Sequence, residues 1–139
     1  MDIRPIDATL SASPQIAADD MIEIARLGFR SVVSNRPDGE EPGQPPALDI
    51  ADAAKTLGLR FTHIPVVGGA IGDDEVTAFR KALDDLPGPI LGFCRTGTRT
   101  TTLWALAQAG QQPVDAILAT AATAGYDLSG LRARLEATG

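Results

Sequence analysis

One short stretch, Cys94-Arg95-Thr96-Gly97-Thr98-Arg99, gathers the residues best suited to chemistry, including the only cysteine of the chain. It follows four apolar residues, Ile90-Leu91-Gly92-Phe93, and precedes a segment with helical spacing. A loop that joins a strand to a helix N-terminus turns successive backbone N–H groups inward, which favours an anion there. Gly97 permits positive φ and a close backbone approach to a guest. Arg99 offers a planar charge able to grip two oxyanion oxygens at once. This pattern predicts that Cys94 reacts as a thiolate in an anion-binding loop.

The energetics explain why these parts occur together. A free thiol with a pKa of about 8.5 is only about 3% ionised at neutral pH. Ionising most of it requires a fall of about three units, or about 4 kcal/mol. A helix dipole provides at most about 2 kcal/mol. Loop N–H groups and the guanidinium must supply the rest. A lone cysteine is more often a small buried hydrophobe. The ordered strand, glycine, arginine and helix favour the reactive reading here.

The elements that must position this loop follow from periodicity. At 139 residues, 44% hydrophobic and 22% charged, the chain reads as one globular domain over residues 1–139. Ser13-Pro14 offers a helix start, with Ile16, Met21, Ile24, Ala25 and Leu27 on one face up to Gly28. Arg30 to Ser34 reads as a buried strand, and Asn35 to Pro46, with four prolines and two glycines, as a loop. Helical spacing returns from Leu48 to Leu57, and Phe61 to Val67 is a further strand. Asp73-Asp74 are expected to cap a helix carrying Val76, Phe79, Leu83 and Leu86. After the strand Ile90 to Phe93, helices are expected at about Thr100 to Ala109, Val114 to Ala124 and Leu128 to Leu135. Helices alternating with short apolar strands predict an α/β fold: a central, mostly parallel sheet flanked by helices, with ligands bound beyond the strands' carboxyl ends. Cys94 stands at such a position.

Composition narrows the partners. A net charge of -6 argues against nucleic acid or an anionic membrane. One cysteine excludes an internal disulfide, and one histidine beside it gives little basis for a metal site. Nothing calls for a cofactor. The opening Met1-Asp2-Ile3-Arg4-Pro5 has no apolar run after a basic region, so a cytoplasmic location is expected, where the thiol stays reduced.

An ordered set of segments resembles the phosphatase-like domain family of the beta-lactamase hydrolase-like proteins, small bacterial proteins of which some are described as sulfur transferases. The segments are Leu27-Gly28-Phe29-Arg30, Asn35-Arg36-Pro37-Asp38, His63-Ile64-Pro65-Val66, the Cys94 loop, Leu103-Trp104-Ala105-Leu106 and Ala124-Gly125-Tyr126-Asp127. The resemblance covers nearly the whole chain. It implies a fold like that of dual-specificity protein tyrosine phosphatases, with Cys94 as nucleophile and Arg99 as oxyanion binder.

Two features divide phosphate from sulfur chemistry. Tyrosine phosphatases place one more residue between cysteine and arginine; here position 100, where that pattern wants arginine, is Thr100. The shorter spacing is similar to that of rhodanese-type sulfurtransferases. Phosphoester cleavage also gains from an acid that protonates the leaving oxygen. The segment where the phosphatase-like fold would carry it, Val67-Gly68-Gly69-Ala70-Ile71-Gly72, has no carboxylate before Asp73. The sequence therefore favours a sulfurtransferase working through a persulfide on Cys94, with a small anionic or thiol substrate. The alternative is a phosphatase acting on a phosphoester or phosphoprotein through a phosphocysteine. A third reading is an idle domain that binds an oxyanion or a protein partner.

Arg95, Thr96, Gly97, Thr98 and Thr100 are expected around the bound anion, and Arg36 either lines the pocket or pairs with Asp38 or Glu40. One threonine hydroxyl near the helix start is a candidate partner for the thiolate. His63 is read as structural, Trp104 and Tyr126 as core or pocket wall, and Gly68-Gly69 as a pocket rim.

Overall fold

Strands β1 (Arg4–Pro5), β2 (Leu10–Ser13), β3 (Ser31–Ser34), β4 (Arg60–His63) and β5 (Ile90–Phe93) form one sheet in the order β1-β2-β5-β3-β4. In the computed structural model, which describes residues 1–138, only β1 runs antiparallel to its neighbour. β5 is central: Phe93 stands opposite Ser13 on one side and Ser34 on the other. The parallel strands thus end on one edge, where Pro14, Asn35, Ile64 and Cys94 emerge together.

β3 and β5 are buried along their whole length, as a parallel sheet covered on both faces requires. Alternate residues feed two cores. Leu10, Ala12, Val33 and Ile90 pack with Phe79, Leu103 and Trp104, under α3 (Asp73–Asp85), α4 (Thr98–Gln108), α5 (Val114–Thr123) and α6 (Arg132–Thr138). Val32, Leu91 and Phe93 pack with Ile24 and Ile50 beneath α1 (Met21–Arg26) and α2 (Ala47–Thr56). Each such large side chain contributes about 1.5–3 kcal/mol of burial. Gly92 in β5 allows α4 its close approach, since a Cβ there would lie 2.6 Å from the Thr100 methyl.

The α/β, mostly parallel architecture expected from periodicity is present, with differences at the ends of elements. β1 and β2 were absent from the sequence reading, because Leu10-Ser11-Ala12-Ser13 carries no β-branched residue and owes its strand form to pairing with β5. The helix expected from Pro14 begins only at Met21, after a 3-10 turn at Ala18–Asp20. The intervening chain stays extended: the Gln15 N–H donates to the Arg95 carbonyl (3.3 Å) and the Ala17 N–H to the Asp20 carboxylate (2.8 Å). The strand expected to reach Val67 stops at His63, and Pro65, with no N–H, follows. Gly72, not Asp73 or Asp74, is the N-cap of α3; both aspartates lie in its first turn, where they favour the helix dipole. The last helix starts at Arg132, after a 3-10 turn at Ser129–Leu131. No helix among the described residues is long and apolar enough to cross a membrane.

Candidate active site

The loop leaves β5 at Cys94 and enters α4 at Thr98, two residues earlier than the sequence suggested. Gly97 makes the turn at φ 94°, a conformation that side chains disfavour. Its N–H donates to the Cys94 sulfur at 3.0 Å, so the sulfur is turned towards the loop at that amide. Cys94 has no exposed surface; the sulfur lies at the floor of the loop.

Arg99, at the start of α4, reaches the segments that follow β3 and β4. The guanidinium donates through Nη1 and Nη2 to Glu40 (2.8 Å each) and through Nη1 to the Val66 carbonyl (3.0 Å). The hydrogen bond to Glu40 raises its pKa, against burial, and the neighbouring Cys94 sulfur adds to the rise. Arg36 follows β3 and is almost completely buried at 2% exposure. It donates to Glu40 (2.8 Å), Glu41 (3.0 Å) and the Gln15 side-chain oxygen (3.1 Å). Burial acts against its charge, and the bonds to the two glutamates outweigh that cost. Glu40 therefore bridges two guanidiniums. The Arg99 bond, assisted by Arg36 and opposed by burial, lowers its pKa to about 2.

Arg36, Glu40, Glu41, Gly68, Arg95 and Arg99 line an open cleft of about 560 Å³. Of the residues expected around an anion, the structure brings Arg36, Arg95 and Arg99 together there. Thr96 and Thr98 stay exposed beside it and bond to each other (3.0 Å). Thr100 does not belong to the rim. It is fully buried and donates to the Asn35 side-chain oxygen at 2.8 Å, because one residue further along α4 turns the side chain into the sheet. No threonine hydroxyl among the described residues bonds the Cys94 sulfur; Thr101 instead returns to the Gly97 carbonyl (2.9 Å).

Asn35 fastens the edge of the sheet. Its backbone N–H donates to the Phe93 carbonyl (2.8 Å), its side-chain amide to the Ile64 carbonyl (2.9 Å), and its own carbonyl accepts from Val66 N–H (3.1 Å). This holds the segment after β4 beside the Cys94 loop. His63 Nε2 pairs with the Arg36 carbonyl at 2.8 Å, a structural contact as expected. Arg36 pairs with Glu40 and not Asp38, which accepts from the Ala47 N–H (2.8 Å). Asp73 lies outside the cleft, in a separate pocket with Arg80 and Arg134. Sequence reasoning missed Glu41 and Gln15 altogether. The pair Glu40-Glu41 in a proline-rich loop just after a strand end was the available signal. Among the described residues no group of three or more His, Cys, Asp or Glu side chains gathers as a metal site would require.

Comparison with known proteins agrees with the architecture. Residues 2–111 match the family model described as "Beta-lactamase hydrolase-like protein, phosphatase-like domain". A beta-lactamase hydrolase-like protein of Xylella fastidiosa is 37% identical over 130 residues, 92% of this chain and 30% of the relative. The chain thus spans under a third of the length of that curated relative. A Neisseria meningitidis protein described as a candidate phosphatase superposes with a TM-score of 0.90 at 37% identity, covering 100% of this chain and 99% of its own. The core catalytic domain of a PP-IP phosphatase from S. cerevisiae shares the fold alone, with a TM-score of 0.70 at 18% identity over 100% and 86% of the two chains.

Proposed function

The chain belongs to the phosphatase-like domain family of the beta-lactamase hydrolase-like proteins, and on that premise we propose that it is a cysteine-dependent hydrolase of phosphoric monoesters. The observation that carries the reading is the Gly97 N–H on the Cys94 sulfur, at the start of a loop whose Arg99 guanidinium is held at the adjoining cleft by Glu40 and the Val66 carbonyl. A negative sulfur and an incoming oxyanion both gain from those donors.

In this reading a phosphoester enters the cleft and takes Arg99 from Glu40. The Cys94 thiolate attacks phosphorus, the ester P–O bond breaks, and the alcohol oxygen leaves with the bonding pair. Water then attacks the phosphocysteine, releasing phosphate and restoring the thiolate. Glu40 is held ionised and Glu41 is tied to Arg36. Glu40 thus offers the leaving oxygen no proton in this arrangement. The site therefore suits esters whose alcohol is already acidic, such as aryl phosphates. Arg95, exposed at the cleft edge, is placed to meet the substrate's remaining charge.

The descriptions of the family and its neighbours reverse the order of the two readings drawn from the sequence. Sulfur transfer remains a second reading, on two observations: the shorter Cys94-to-Arg99 spacing and an ionised Glu40 unsuited to donating a proton. There the thiolate attacks the outer sulfur of a donor such as thiosulfate, the S–S bond breaks, sulfite departs, and an acceptor thiolate removes the persulfide sulfur. Parallel assays of aryl phosphate hydrolysis and thiosulfate-to-thiol sulfur transfer separate the two. Phosphate release abolished by Cys94→Ser supports the first; sulfur transfer without phosphate release replaces it with the second.

A further inference from the structure

We propose that Tyr126 is a positioning residue for the Cys94 loop: its hydroxyl fixes the Thr96–Gly97 peptide so that the Gly97 N–H stays on the Cys94 sulfur. The inference rests on Cys94 as the reacting thiol of the proposed function and holds for either guest.

The argument turns on one planar unit. The Thr96 carbonyl and the Gly97 N–H belong to the same rigid trans peptide and point in opposite directions. At one end the Gly97 N–H donates to Cys94 Sγ at 3.0 Å. At the other end the Tyr126 hydroxyl donates to the Thr96 oxygen at 3.3 Å. A rotation of that plane breaks both bonds together. Donation to the carbonyl also polarises the unit and strengthens the opposing N–H. The neighbouring peptide is held separately, since the Gly97 carbonyl accepts from both the N–H (3.0 Å) and hydroxyl (2.9 Å) of Thr101. Only the Thr96–Gly97 plane depends on Tyr126.

The hydroxyl sits so close beneath Gly97 that a Cβ there would collide with it. Glycine at 97 thus leaves room for Tyr126 as well as making the turn. Tyr126 is itself held firmly. It is 6% exposed, its N–H donates to the Ala121 carbonyl (2.9 Å), and the Arg4 guanidinium lies 5.4 Å from its ring centroid. Burial, opposed by Arg4, raises its pKa, so the phenol remains a donor through neutral pH. Phenylalanine would fill the same space. The hydroxyl is the part that the loop needs.

Tyr126→Phe tests this with two readings on folded protein, checked by near-UV circular dichroism. Iodoacetamide alkylation of Cys94 at neutral pH is expected to slow about threefold. Hydrogen exchange of the Gly97 amide is expected to quicken about threefold or more. Trp104→Phe, which loosens the same core by removing the Trp104 bond to Asp7 (3.0 Å), is expected to lower Tm and leave both readings in place. Unchanged Gly97 exchange in Tyr126→Phe, or equal shifts in Trp104→Phe, would overturn the proposal. The exchange reading needs no turnover, so a wild-type protein without phosphatase activity would fail the functional reading and leave this one decided.

Discussion

Glu40 and Arg99 face each other across 59 positions of sequence with both carboxylate oxygens at 2.8 Å from the guanidinium nitrogens. Glu40 thereby holds Arg99 in the bidentate manner a substrate oxyanion would use. Its pKa of about 2, set first by the Arg99 bond, fixes the sign of the pH dependence. The contribution of the pair is present above the ordinary carboxylate value and is lost as pH falls from about 4.5 towards about 2. The Glu40 carboxyl carbon followed by NMR is expected to titrate in that acid window. Titration above pH of about 4 would show that the pair is not formed in solution.

The same pairing makes Glu40 a competitor of the substrate. Glu40→Gln is expected to lower the inhibition constant of inorganic phosphate by about two- to fivefold, the worth of a partly exposed ion pair. The check is competitive inhibition of aryl phosphate hydrolysis. A weaker inhibition by phosphate would assign Glu40 to holding Arg99 in place instead.

Arg99→Lys keeps the charge and loses the planar fork. It is expected to reduce kcat/KM for an aryl phosphate by about a hundredfold or more, with Tm little changed. Steady-state kinetics beside thermal unfolding decide this. A loss under about threefold would remove Arg99 from the oxyanion role.

Thr100→Val addresses a residue that sequence reasoning assigned to the anion. Because its hydroxyl donates to buried Asn35 (2.8 Å), the variant is expected to lose about 1–3 kcal/mol of stability in urea unfolding. Its KM for a small phosphoester should stay within about twofold of wild type. A large KM effect with unchanged stability would return Thr100 to the binding site.

The contrast between Thr100 and Arg99 shows what the sequence made legible. β5, Cys94, Gly97 and Arg99 follow from local order alone: a buried strand, a glycine turn and a helix start. The parallel sheet follows from alternation of strand and helix. Neighbouring threonines on α4, by contrast, differ only in which way one helical step turns them, and that depends on packing against Gly92 and Asn35. β2 needed its partner β5, because its own residues have weak strand preference. Glu40 and Tyr126 reach the Cys94 loop from distant segments, and no local spacing records such contacts. The place of Asp73 near Arg134, outside the cleft, is likewise set by a distant segment, α6.

The central claim is that Cys94 carries the transferred group. Intact-mass spectrometry of protein quenched during aryl phosphate turnover tests it most directly. The account predicts one added phosphoryl group, mapped to Cys94 and absent in Cys94→Ser. Phosphate release with Cys94 unmodified throughout, or turnover that survives Cys94→Ser, would contradict it.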